Sequence, residues 1–372
     1  MDITVTKENI VSALSVTLGV VEKRHTLPIL ANVLFEVDEN TFKLTATDLE
    51  SLVTTSGPTT NTQSSGITTT SAKKLNELCR LIPDGEEIRI FLQGEKLNIK
   101  TKNGKYSLSI LPSSDFPIFD IDSGDSPLVI PAQDLRTLIT DTSFAIDPGG
   151  SRRSLEGMFL SVDGGQIVAA ASDRAKLAIA KIPTTSNNSF SGIIPKKPIN
   201  EMAKILSDQR GDAELKIHNK SSLELVVGNL IFKSKLIDGN FPDYQRVIPS
   251  GESSVLEINV KNFSETLSRV SVLSGEKSGI HLTISSDGIM ISTKLPVGWS
   301  SRSDQGEAEE FFPAKYAGEK LEMVFNGTYL QEILSHLKTD LCHINFFGPD
   351  QSCILTPSDC DSPTYIINPL LI

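Results

Sequence analysis

Apolar and polar residues alternate with a period of two over much of this chain. The stretches "FKLTATDL", "IRIFLQGEKLNIKTKNGKYSLSIL", "AELKIHNKSSLELVVGNLIFKSKLI" and "HLTISSDGIMIST" all show it, broken by Gly, Asn and Asp. Such alternation predicts half-buried antiparallel strands, with "KNGK" and "SDGI" as tight turns. Three segments instead pass from alternation into a helical period: "ITVTKENIVSALSVT", "LVIPAQDLRTLITDT" and "LEINVKNFSETLSRV". In the second, Leu135, Leu138 and Ile139 stand at i, i+3 and i+4, one face of a helix.

The pattern repeats on a larger scale. "SSDFPIFD" at 113–120 is echoed by "DGNFPDYQ" at 238–245, setting Phe116-Pro117 against Phe241-Pro242, 125 residues apart. "KKLNELCRLI" from Lys73 is echoed by "KPINEMAKIL" from Lys197, 124 residues on. A fainter copy, "NGTYLQEILSHL" from Asn326, matches Leu75, Glu77, Leu78 and Ile82 with Leu330, Glu332, Ile333 and Leu337 at a constant offset of 255. Periods this long indicate repeated domains rather than a solenoid. Each repeat reads as strand, helix, a group of strands, a second helix and more strands. The joints fall near "DIDSGDSP" (120–127) and "IPSGESSV" (248–255), rich in Gly, Ser, Pro and acidic residues. The expected architecture is α+β, three tandem domains of like fold at 1–124, 125–251 and 252–372.

Composition changes this picture little. With 372 residues and 39% hydrophobic content, each domain can bury a core. No apolar run reaches membrane-spanning length, and "MDITVTKENI" lacks a signal pattern. Cys79, Cys342, Cys353 and Cys360 form no CxxC, which favours free thiols in a cytoplasmic protein. The 35 basic and 46 acidic residues give a net charge of −11, which argues weakly against nucleic acid, because distribution outweighs the total.

Repetition together with "RHTLPILANVLFEV…FKLTATDLE" and "SKLIDGNFPDYQRVIP" resembles the bacterial sliding clamps, the β subunits of the replicative DNA polymerase III. "LEGMFL" (155–160), "VLSGEK" (272–277) and "FNGTYL" (325–330) follow in family order, so the resemblance spans the chain. It implies a ring-shaped homodimer with helices inside and a continuous antiparallel sheet outside. The ring would encircle double-stranded DNA without sequence specificity. It would tether the replicative polymerase catalytic subunit, the clamp loader and other proteins through short clamp-binding peptides. No membrane, metal or cofactor is expected, and no catalysis.

A sliding ring must attract phosphates without reading bases. Lys73, Lys74 and Arg80 in the first repeat, and Lys196, Lys197 and Lys204 in the second, recur on related helices. Arg24 stands at a family DNA-contact position, and Arg153 replaces one of two tyrosines common there, Ser154 the other. The plainer reading of any one lysine is a solvated helix face.

For the peptide cleft, the resemblance implies Leu155, Leu177, Pro242, Arg246 and Val247, with Asn326 and Tyr329. The usual "TDGHRL" loop is here "SDRAKL", placing Ser172, Arg174 and Lys176 at the cleft. The tail, Pro369 and Leu370 with Leu371 and Ile372, departs from the family ending, and no aromatic follows Lys277. These departures leave a second reading open, a specialised or paralogous clamp with altered partner or inhibitor preference. A roomier cleft is expected beside Ser278. Phe241-Pro242 has its own plain reading as a strand-end plug, and "DFPIFD", lacking the Arg, reads as punctuation.

The resemblance also implies a dimer contact between first and third domains. Lys105, Tyr106 and Leu108 would stand on one side, and Val272, Leu273, Glu307, Glu309 and Glu310 on the other. Edge strands that pair between subunits remove an aggregation hazard, and two-fold symmetry closes the ring.

An enzyme is disfavoured: GxSxG, Walker, HExxH and Rossmann patterns are all missing. Asp48 and Asp173, in "TATD" and "AASD", form a conceivable acid–base pair, but their repeat-related placement suggests a shared turn or cap. A binding module that does not encircle DNA is the remaining alternative.

Overall fold

The computed structural model describes residues 1–21, 27–119, 126–150, 152–186, 189–218, 221–273, 279–294 and 306–370. Helices α1 (Lys7–Thr17), α3 (Ala132–Thr142) and α5 (Val260–Ser271) each follow a short strand, at the three segments where alternation gives way to helical periodicity. Helices α2 (Ala72–Leu81), α4 (Lys196–Ile205) and α6 (Gly327–His336) start at the spacing of the second repeat motif. Short polar side chains start several of them. Thr6, Ser71, Asn259 and Asn326 accept hydrogen bonds from amides of the first turn, satisfying donors that lack a partner within the helix.

The remaining described elements are mostly antiparallel strands, and the chain packs as two compact units, each built from separate stretches. The first comprises Met1–Arg136 and Lys197–Leu236, the second Thr137–Lys196 and Ile237–Ile372. The central repeat therefore contributes to both.

In the first unit, an eight-stranded sheet is joined where Leu230–Lys235 pairs with Ser51–Pro58, Leu230 opposite Thr55 and Ser234 opposite Ser51. A five-stranded sheet ends on Lys105–Ser109. Its strands pack with α1 and α2 through Ile3, Ile10, Leu14, Leu75, Cys79 and Ile90, all fully buried. A smaller cluster sets Phe116 against Ile29, Leu30 and Leu34. The first "FP" motif is thus structural.

In the second unit, the equivalent eight-stranded sheet is joined where Lys176–Pro183 pairs with Thr364–Ile367, Leu177 opposite Ile366. A four-stranded sheet ends on Glu309–Pro313. All four thiols are free, and burial pushes those of Cys79 and Cys342 up to about 12. Among the described residues no helix is long and apolar enough to cross a membrane.

Candidate functional site

Two turns of identical design stand at repeat-related positions. In the first, Asp48 Oδ1 accepts from the amides of Glu50 and Ser51, while the Thr47 hydroxyl donates to the Ser51 carbonyl. In the second, Asp173 Oδ1 accepts from Ala175 and Lys176, and the Ser172 hydroxyl donates to the Lys176 carbonyl. Leu49 (φ 74°) and Arg174 (φ 79°) both take the left-handed conformation that favours glycine. Each carboxylate is held within its own turn, as the repeat suggested. Neither is poised for acid–base work.

The second turn forms one wall of a cleft of about 190 Å³. Leu155, Ser172, Arg174, Lys176, Leu177, Pro242 and Val247, all predicted for it, are brought together there. Phe241, Asp243 and Tyr244, from the segment "FPDYQRV" that the resemblance places at the cleft, line it as well, and so do Arg152, Ile366 and Asn368, which were missed. The apolar floor continues a core cluster of Ala170, Leu177, Ile179 and Ile366. Phe241 stacks on Phe159 with ring centroids 5.2 Å apart, and Tyr244 packs beside both. The second "FP" motif is therefore plug and wall at once. Asn368 pins the chain end to the turn: its amide donates to the Ala175 carbonyl and its Nδ2 to that of Arg174.

Lys176 is the buried charge of the site. Its ammonium lies 2.8 Å from Asp173 and 3.0 Å from Glu332, and 4.0 Å from the centre of the Tyr329 ring. Burial disfavours its charge, but the two carboxylates outweigh that and hold its pKa above the ordinary lysine value. Tyr329 thus reaches the cleft only through Lys176. Asn326 caps α6, Arg246 is exposed and pairs with Asp243 at 2.8 Å, and neither belongs to the lining. Pro369 and Leu370 lie outside it too, the Leu370 amide donating to the Val324 carbonyl. Leu371, Ile372 and Ser278 fall outside the described residues.

The cations sit where the helical period puts them. On α2, Lys73, Lys74 and Arg80 are exposed opposite buried Leu75 and Cys79, and Lys73 lies 3.8 Å from Glu77. On α4, Lys196 and Lys204 are exposed, Lys204 pairing with Glu201. Lys197 is partly turned inward, 2.5 Å from the buried Asp48. Arg153 is exposed in a short 3-10 turn, and Arg24 lies outside the described residues.

The residues assigned to a subunit contact occupy edges. In the first unit, Lys105, Tyr106 and Leu108 lie on the sheet-edge strand, with Tyr106 43% exposed. In the second, Val272 and Leu273 directly follow α5 at 79% and 40% exposure. Glu307 and Glu309 are exposed at and before the edge strand, whereas Glu310 is tied to Arg269. Phe311 is 47% exposed on that strand. Its place in "EEFFP", where alternation turns one Phe outward and buries Phe312, accounts for that exposure.

Comparison with known proteins identifies the family. Models of the DNA polymerase III beta subunit match in order: the N-terminal domain at residues 1–120, the central domain at 129–243 and the C-terminal domain at 245–370. The chain is 33% identical to the beta sliding clamp of Pseudomonas aeruginosa and 31% identical to that of Escherichia coli K12, over the full length of each. The crystal structure of the Pseudomonas aeruginosa DNA polymerase III subunit beta superimposes with a TM-score of 0.95 at 32% identity, covering all of both chains. A structure of that organism's sliding clamp bound to griselimycin gives 0.94 at 32% identity, also over both chains in full. Three tandem domains of one fold, matched from end to end, place the chain in the family of beta sliding clamps, the non-catalytic beta subunits of DNA polymerase III.

Proposed function

We propose that two copies close into a ring around duplex DNA in the cytoplasm, helices inward and sheets outward. The ring slides without reading sequence, and the cleft beside Leu155, Leu177, Pro242 and Val247 captures peptides of the replicative polymerase, the clamp loader and other DNA-handling proteins. Domains divide at 1–124, 125–251 and 252–372. The observation that carries this reading is the recurrence of cations on α2 and α4 of an otherwise acidic chain, Lys73 with Lys197 and Arg80 with Lys204. Long-range attraction to phosphate is what a sliding contact needs, and base readout would only impede it.

The cleft supplies the tether. A preformed apolar hollow with a few polar groups suits an extended peptide that inserts one large side chain. Retention on nicked circular DNA after loading, released when the circle is cut, tests the topology. Equal retention on linear DNA would refute encirclement. The altered turn at Arg174 and Lys176 favours a second reading within the same family, a clamp whose cleft selects different partners.

A further inference from the structure

The sheet that ends on Lys105–Ser109 turns one face towards α1 and α2 and the other away from them. Ile88, Ile90, Leu97 and Ile99 are buried on the helix side. Alternation therefore sends Arg89, Phe91, Lys96, Asn98 and Lys100 to the opposite face. Strand register then sets cation against cation, Arg89 opposite Lys100 and Lys100 opposite Lys105. Like charges directly opposite on neighbouring strands destabilise a sheet, so folding does not account for this row.

Arg89 is neutralised, its Nε 2.9 Å from the Asp2 carboxylate. Lys96, Lys100 and Lys105 are exposed and have no carboxylate partner among the described residues. Phe91, half-buried, pairs with Asn98, midway between Lys96 and Lys100 on their strand. Four residues at about 3.3 Å each put those two lysines roughly 13 Å apart. Arg89 and Lys105 hold the ring from 5.1 and 5.9 Å. The face thus presents an aromatic ring between cations, on a chain whose net charge is −11. Pairing between subunits would use backbone groups at the sheet edge and engage Lys105. Side chains stand perpendicular to that direction, so Phe91, Lys96 and Lys100 would stay open in the dimer.

We propose that this face binds single-stranded nucleic acid, a base stacking on Phe91 and the flanking phosphates meeting Lys96 and Lys100. Alternating phosphates and bases match alternating cations and ring. A duplex keeps its base faces within its own stack and cannot use the ring. An acidic peptide would satisfy the lysines and leave the ring idle. The site is distinct from the α2 cations, because α2 packs on the other face of the same sheet through Leu75 and Cys79.

The test follows the anisotropy of a fluorescein-labelled oligothymidylate of about 16 nucleotides on the full-length protein. Lys96→Ala with Lys100→Ala should weaken binding about tenfold and flatten its salt dependence, by about 0.7 units of slope per lost phosphate contact. Phe91→Leu should weaken it about five- to tenfold, whereas Phe91→Tyr, which keeps a ring, should bind as the unaltered protein does. Retention on nicked circular duplex should be the same for all of these variants as for the unaltered protein. Undiminished binding by Phe91→Leu, or equal affinity for the oligonucleotide and its duplex, would overturn the proposal. Displacement of the oligonucleotide by an oligoglutamate of equal charge would assign the lysines to an acidic protein and overturn it as well. So would loss of binding on changing Lys73 and Lys74 to Ala but not on changing Lys96 and Lys100, which would place the strand on α2.

Discussion

Asp173 does two jobs with one carboxylate, capping a turn through Oδ1 and holding the Lys176 ammonium through Oδ2. Removing it strands two amides and leaves the buried cation with Glu332 alone. Breaking a buried pair in this way costs about 3–5 kcal/mol. Asp173→Ala should therefore lower stability by several kcal/mol in urea denaturation. Asp48→Ala should cost less, since Lys197 is 42% exposed and can rehydrate. Equal losses would show that Lys176 gains nothing from its carboxylate.

His336 makes a second prediction at this scale. Its ring stacks on Phe144 at 4.2 Å, and burial lowers its pKa. The charge of Asp141 opposes the shift, Lys338 adds to it, and Glu332 and, least, a hydrogen bond to the Thr140 backbone oppose it. A depressed histidine pKa means the unfolded chain takes the proton first. Its stabilising contribution is complete above the unfolded value near 6.5 and is lost as pH falls through the lower folded value. Between about pH 7.5 and 5.5 the urea midpoint of the wild type should fall, and that of His336→Phe, which keeps the stack, should fall less. Parallel falls would remove His336 from the account.

Among the elements, α2 separates folding from function most cleanly. Its inner face holds Leu75 and Cys79 with no exposure, and its outer face holds Lys73, Lys74 and Arg80. Leu75→Ala opens a cavity in a close-packed core and should cost about 2–5 kcal/mol. Changing Lys73, Lys74 and Arg80 to Ala should leave the thermal midpoint almost unmoved. DNA retention should weaken alike on all sequences, with a shallower salt dependence, by about one unit of slope per lost phosphate contact. A loss confined to particular DNA sequences would contradict sliding. The two faces were legible in advance, because helical periodicity alone sorts inward from outward residues. Engagement of Lys197 by Asp48 was not, because that partner comes from a turn 149 residues away.

For the whole molecule, the proposed ring would close through Val272, Leu273 and the edge strands. Burying two such side chains contributes roughly 3–6 kcal/mol. Val272→Ala with Leu273→Ala should shift the protein to monomers at micromolar concentration by sedimentation. An unchanged dimer would relocate the contact, with the exposed Phe311 the next residue to alter.

The amino-acid order by itself determined the strand and helix positions, the threefold repetition and the outward cations, since each is a local periodicity or a constant offset. It also carried the family, through motifs spread along the chain. Only the tertiary structure decided what the cleft is made of. Ile366 and Asn368 come to the Asp173 turn because the last strand pairs with Lys176–Pro183, and Tyr244 joins Phe241 and Phe159 because their rings pack together. It likewise withdrew Arg246 and Asn326 from the lining, one into an ion pair and the other into a helix cap. A period shows which face a residue presents. Which distant residue meets that face depends on long-range strand pairing and on competition among neighbours for each polar group, and neither is written in a local pattern.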